Sequence, residues 1–111
     1  MVFAGMPKLN TGNEKVQEYL LNVLEYWVRE VQVDGYRFDV IDEIDENFAL
    51  KIRDRLKRLN PELVLIGETW AEGKRLLNGC EMDSIMNYSF RQAMLDFFAE
   101  RSINAETFGH R

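Results

Sequence analysis

Arg37, Asp39 and Glu68 are the side chains whose types and settings offer chemistry in this sequence. Residues 34–41 read "DGYRFDVI", a run rich in Tyr, Phe, Val and Ile that predicts a strand. Side chains alternate along a strand, so Arg37 and Asp39 share one face while Tyr36, Phe38 and Val40 share the other. A guanidinium at that spacing favours the ionised form of a carboxylate and orients it. Glu68 closes "LVLIGE", behind four apolar residues and a glycine, a setting in which partial desolvation favours a carboxyl that keeps its proton. One carboxylate held charged and one able to carry a proton form the pair used in glycoside hydrolysis. Each residue also has a purely structural reading: Arg37 and Asp39 as an ion pair, Glu68 as a helix cap, Asn87 as a turn residue.

The elements that must position these groups alternate along the chain. Apolar residues from Asn13 to Val31 (Val16, Tyr19, Leu20, Val23, Leu24, Trp27, Val28, Val31) recur at three and four and predict one helix face. Thr11, Gly12 and Asn13 can cap its start. A strand over 35–41 follows, then a helix over about 45–59 with Phe48, Ala49, Ile52 and Leu56 inward, stopped by "NPE" at 60–62. The continuous apolar run 63–68 predicts a strand covered on both faces. A short helical turn over 74–77, a strand over 83–87, and a helix over about 90–100 capped by Ser89 complete the series. Its stripe of Ala93, Met94, Phe97 and Phe98 reads as core, as does Trp27. Glu43, Asp45 and Glu46 suit the first turn of a helix, where negative charge complements the dipole.

Helix and strand in strict alternation predict an α/β fold with a parallel sheet and right-handed crossovers. In such folds function gathers at the carboxyl ends of the strands, where Asp39, Glu68 and Asn87 stand. Three strands over 111 residues fall well short of the roughly 250 residues of a closed eight-stranded barrel. The expected architecture is therefore a partial barrel.

Composition narrows the partners. Fourteen Lys and Arg against 19 Asp and Glu give a net charge of −5, without long runs of like charge, which argues against nucleic acid. The single cysteine, Cys80, cannot form an intramolecular disulfide, suits a reducing compartment and reads as incidental. No signal-like or membrane-spanning apolar stretch is visible, so a soluble cytoplasmic protein without a membrane partner is the expectation. His110 is assigned no role, and nothing calls for a cofactor or a metal.

Four short stretches in series change the weight of these readings: "MPKLN" at 6–10, "DGYRFDV" at 34–40, "GETW" at 67–70 and "MNY" at 86–88. In this order and at these separations they resemble the alpha-amylase family of glycoside hydrolases, in particular its cyclomaltodextrinase, neopullulanase and maltogenic amylase branch. The resemblance implies that Asp39 is the nucleophile of a retaining mechanism, that Arg37 orients it, and that Glu68 is the general acid/base. It implies sugar contacts at Glu43, Trp70 and Asn87. It also implies a partial (β/α)8 barrel carrying the fourth to sixth units over residues 1–111, with residues 1–12 ending an inserted segment.

The family's third carboxylate, in an "NHD"-like motif, and its "DxxxNH" motif have no counterpart in these 111 residues. Thr69 and Ala71 stand where the branch usually reads Glu-Ile-Trp-His or Glu-Val-Trp-His. The implied activity is hydrolysis of α-1,4 glucosidic bonds, with α-1,6 bonds as a further candidate, in maltodextrins or cyclodextrins. The chain alone is expected to be inactive, and either to self-associate or to bind the missing barrel segments. The alternative is a non-catalytic partial-barrel scaffold descended from an amylase.

Overall fold

The computed structural model describes residues 5, 7–71 and 73–110. Met6 and the first four residues, which belong to the stretch expected to end an inserted segment, lie outside them. Helix α1 (Glu14–Tyr26) begins where the Asn13 side chain accepts hydrogen bonds from the N–H groups of Lys15 and Val16, and it runs on as a π-helical turn over Trp27–Val31. Gln32 then turns the chain in the left-handed region at φ 58°. Strand β1 (Gly35–Phe38) leads through a 3-10 turn (Ile41–Glu43) to α2 (Glu46–Leu59), which the Asp45 carboxylate caps by accepting the Phe48 N–H at 3.0 Å. Strand β2 (Val64–Gly67) and the short β3 (Ser84–Ile85) follow, then α3 (Tyr88–Met94) with a π turn over Leu95–Ala99, and α4 (Ala105–Gly109).

The three strands form one parallel sheet in the order β1-β2-β3, with Phe38 paired to Gly67 and Gly67 to Ile85. Sequential order with all strands parallel is the arrangement that alternating helices and strands predict. Between β2 and β3 the expected helix over 74–77 is instead a succession of i→i+3 turns, with Leu76 N–H bonded to the Gly73 carbonyl at 3.0 Å. Helices α1 and α2 cover one face. There Leu21, Phe48, Ile52, Leu56, Leu65 and Met82 are buried, and the rings of Tyr36 and Phe38 pack against them. Each of these large side chains contributes about 1.5–3 kcal/mol of burial free energy.

The other sheet face is bare among the described residues. Val64 is 46% exposed, so β2 is covered on one face rather than the two that its unbroken apolar run suggests. Helix α1 is likewise apolar on two sides. Leu20, Leu24 and Val28 pack inward, while Tyr19, Val23, Trp27 and Val31 point out, Trp27 being 46% exposed. Beyond β3, Ala93 is buried but Met94 and Phe98 are exposed. No described strand lies under that helix, and Phe97, Phe98 and Phe108 contact one another instead. No helix is long and apolar enough to cross a membrane among the described residues.

Candidate active site

The carboxyl ends of β1 and β2 carry the two acidic groups side by side. Arg37 pairs with Ile66 across the strands and points to the bare face, which puts its guanidinium below both strand ends. From there it binds both carboxylates: Nη1 contacts Asp39 Oδ1, and Nη2 lies 2.8 Å from Glu68 Oε1. The hydrogen bond to Asp39, helped by the charge of Glu68, raises the guanidinium above its ordinary range against the opposing effect of desolvation. Arg37 is thus a permanent cation shared by two acids, and Met86 Sδ touches its Nε and Nη2 at 3.4 Å.

The two acids differ in setting. The Asp39 side chain is 78% exposed, open to anything that approaches the strand ends. Glu68 is buried, 6% exposed, yet its oxygens are well supplied with donors. Besides Arg37, the Tyr88 hydroxyl donates to Oε1 at 2.8 Å and the Val40 N–H donates to Oε2 at 3.1 Å. The bond to Glu68 is the main cause that raises the Tyr88 phenol above its ordinary 10.0. The Tyr88 ring stacks on Trp70, with centroids 4.6 Å apart and planes 28° apart, and Trp70 is 73% exposed. Two stacked aromatic rings beside a carboxylate pair offer an apolar face to a flat partner.

Local backbone geometry explains this convergence. The Glu68 N–H bonds to the Phe38 carbonyl at 2.9 Å, as regular parallel pairing requires. The next regular donor to the Glu68 carbonyl would be the N–H of residue 40, but Ile41 takes that place, at 2.9 Å. Val40 is therefore an extra residue, a bulge in the pairing just past the end of β1, and it sits in the left-handed region at φ 43°, ψ 57°. For a β-branched residue that conformation costs about 1–3 kcal/mol. Behind the site, Thr69 is fully buried; its hydroxyl donates to Asp42 Oδ2 and accepts the Ala71 N–H. A Cβ at Gly67 would be a tight fit, 3.0 Å from Ile41 Cγ2 and 3.2 Å from Met82 Cγ, so these side chains would have to give by a few tenths of an ångström.

A family model described as the alpha amylase catalytic domain matches residues 1–110. The chain belongs to the alpha-amylase family. Within it, the chain is 50% identical over 103 residues to a cyclomaltodextrinase of Thermoanaerobacter pseudethanolicus, a match covering 93% of this chain and 18% of that protein. It is 41% identical over 108 residues to an intracellular maltogenic amylase of Bacillus subtilis, covering 97% of this chain and 18% of the relative. Among solved structures, a cyclomaltodextrinase superposes with a TM-score of 0.89 at 45% identity, over 93% of this chain and 18% of that one. A cyclic alpha-maltosyl-(1→6)-maltose hydrolase from Arthrobacter globiformis, in complex with maltose, gives 0.87 at 32% identity, over 92% and 23%. The three strands are thus three consecutive strands of an alpha-amylase family barrel, and the chain spans about a fifth of the length of these relatives.

Of the residues singled out in the sequence, the structure brings Arg37, Asp39 and Glu68 into one cluster, with Trp70 at its rim. Glu43 lies on the 3-10 turn, paired with Lys8 at 3.3 Å across a shallow cleft. Asn87 caps α3 from the left-handed region at φ 51°, its side chain accepting the Phe90 N–H at 3.3 Å. The cap expected at Ser89 is therefore Asn87, two residues earlier, because the helix starts at Tyr88. Sequence reasoning missed Tyr88 as a partner of Glu68, although "MNY" contains it. Twenty residues and a whole strand separate the two, and no local periodicity reports such a contact.

Proposed function

We propose that this chain carries the nucleophile and the acid/base of a retaining α-glucan hydrolase site, with Asp39, Glu68 and Arg37 in those roles. The observation that carries the reading is the single guanidinium bound to carboxylates at the ends of two adjacent parallel strands. Solvent-open Asp39 is the group that attacks an anomeric carbon, while Glu68 is the group that protonates the leaving oxygen. Trp70 stacked on Tyr88 supplies a surface for sugar on the leaving-group side, Glu43 on the 3-10 turn is a second contact for it, and Asn87 stands at the third strand end. The substrate class is an α-1,4-linked maltodextrin or cyclodextrin, with α-1,6 bonds as a further candidate, in keeping with the names of the relatives. Cytoplasmic location follows the relative named intracellular.

The 111 residues hold two of the family's three catalytic carboxylates. The chain alone is accordingly expected to release no reducing sugar from maltotriose or cyclodextrin. The decisive experiment places residues 7–110 in the matching span of the cyclomaltodextrinase that is 50% identical. The chimera is expected to hydrolyse maltotriose, and Asp39→Asn or Glu68→Gln to lower kcat by roughly three orders of magnitude or more. A folded chimera whose rate survives Asp39→Asn within tenfold would overturn the reading.

A second reading, a non-catalytic scaffold, is favoured by one observation. Strands β1 and β3 are the outer strands of the three-stranded sheet, and apolar rings stand exposed on α1 and beyond β3. Unpaired edges and exposed apolar faces favour association. Sedimentation is expected to show concentration-dependent self-association of the isolated chain, and a monomer over a wide concentration range would count against this.

A further inference from the structure

The bulge at Val40 is the least comfortable feature of the backbone, and it stands between the two proposed catalytic groups. Val40 is one of four non-glycine residues with positive φ among the described residues, at 43°, and it alone of the four is β-branched. Left-handed backbone is taken up readily by Gly, Asn and Asp and is a true outlier for valine. Strain of this kind persists where the surrounding structure over-determines it. The surroundings here are specific: Ile41 N–H occupies the Glu68 carbonyl at 2.9 Å, and the displaced Val40 N–H turns to Glu68 Oε2 at 3.1 Å. In an unbulged strand that N–H would be consumed by the sheet.

We propose that Val40 is a positioning residue, whose bulge withdraws a main-chain N–H from the sheet and gives it to the side chain of the acid/base. The N–H belongs to the peptide unit joining Asp39 to Val40. The backbone that carries the nucleophile therefore also grips the second carboxylate. Glu68 is held at both oxygens: Oε2 by the Val40 N–H just past β1, Oε1 by Arg37 of β1 and by Tyr88 of α3. Anchors on both oxygens stop rotation about the last side-chain bond and fix the plane of the carboxyl group. That plane decides which lone pair faces a glycosidic oxygen, and preorganisation of this kind places a proton where it is needed. A backbone N–H and a guanidinium only donate, so Val40 and Arg37 hold Oε2 and Oε1 alike as acceptors, whereas the Tyr88 hydroxyl can donate to or accept from Oε1.

The proposal rests on the reading of Glu68 as the acid/base, but its test needs no sugar. Amide hydrogen exchange of residues 40 and 41 is measured by NMR on the whole chain, with Glu68→Ala, Glu68→Gln and Val40→Gly. Glu68→Ala is expected to speed exchange at residue 40 about tenfold or more while leaving Ile41, bonded to the Glu68 carbonyl, within about twofold. Glu68→Gln, which keeps an acceptor, restores most of the protection. Val40→Gly, free to enter the left-handed region, keeps residue 40 protected. A purely structural turn would move residues 40 and 41 together or neither, and either result overturns the proposal. Should Glu68→Ala unfold, the scalar coupling between the Val40 amide and the Glu68 side-chain carboxyl carbon in the unmodified chain decides. Its presence supports the contact; its absence beside a resolved Ile41–Glu68 coupling refutes it. An inactive chimera would sink the hydrolase reading without altering these exchange rates.

Discussion

Replacing Asp83 by asparagine removes a negative charge from a junction where α2, β2 and β3 meet. Its Oδ1 accepts from Arg53 Nη1 at 2.7 Å, and its Oδ2 from Lys57 Nζ at 2.7 Å and the Leu65 N–H at 3.0 Å. Burial alone would push this carboxyl up, but the Lys57, Arg53 and Leu65 hydrogen bonds outweigh it and hold it at about 2 instead of 3.8. At about 1.4 kcal/mol per decade, that displacement corresponds to roughly 2.5 kcal/mol. The side chain is 28% exposed, so water screens part of the effect and about 1–2 kcal/mol is expected. A carboxyl that is lower in the folded than in the unfolded chain stabilises above its unfolded value and loses that contribution as pH falls through its folded one. Urea unfolding at pH 7 should therefore show Asp83→Asn less stable by about 1–2 kcal/mol, with the gap closing between about pH 4 and pH 2. A gap equally wide at pH 2, or none at pH 7, would refute the electrostatic account of this junction.

Tyrosine titration followed by near-ultraviolet absorbance should be biphasic, because Tyr36 (through burial) and Tyr88 (through its bond to Glu68) both deprotonate above 10.0. Tyr88→Phe should remove part of the late phase, and an unchanged late amplitude would contradict the Tyr88–Glu68 contact. In the chimera the same substitution keeps the ring on Trp70 and is expected to lower kcat with little change in KM. Gly35→Ala would set a Cβ 2.3 Å from the Val64 carbonyl oxygen, main chain that cannot move aside without parting β1 from β2. A loss of about 2–3 kcal/mol in denaturant unfolding is expected, and an unchanged midpoint would show that the strand pairing at Gly35 is wrong.

Much of this arrangement was legible because it is written in local patterns. The α2 stripe of Phe48, Ala49, Ile52 and Leu56 is buried as its spacing demands. Arg37 and Asp39 form the ion pair that their spacing suggests, although β1 stops at Phe38 and not at Ile41, so Asp39 stands in the turn beyond the strand. Carboxylates at the ends of consecutive strands are neighbours because those strands pair side by side and parallel, as a helix crossover between them leads one to expect. What escaped depends on contacts between distant residues or on backbone that contradicts its own side chain. Nothing in "DVI" marks valine for the left-handed region, so the bulge stayed hidden, and with it the N–H that reaches Glu68. Trp27 and Phe98 read as core because apolar periodicity reports which face is greasy, not whether anything covers it. The Thr69–Asp42 contact behind the site links two loops that no spacing rule relates.

The compactness of the Arg37 arrangement in the chain bears on how the molecule assembles. Both carboxylates and their shared cation fall within a single strand-helix-strand unit, from Gly35 in β1 to Glu68 just past β2. The Leu65–Asp83 contact closes a shorter loop than Val40–Glu68, 18 residues against 28, but loop entropy grows only slowly with length. Four residue pairs join β1 to β2 and two join β2 to β3, so the β1–β2 unit should form first. Tyr88 arrives only with β3. The acid pair should thus be assembled around Arg37 while the phenol is still absent, and Glu68 should gain its last donor when the third strand docks. Pulse-labelling hydrogen exchange during refolding would place protection of the Phe38–Glu68 ladder ahead of the Asp83–Leu65 ladder, and the reverse order would exclude this sequence of events.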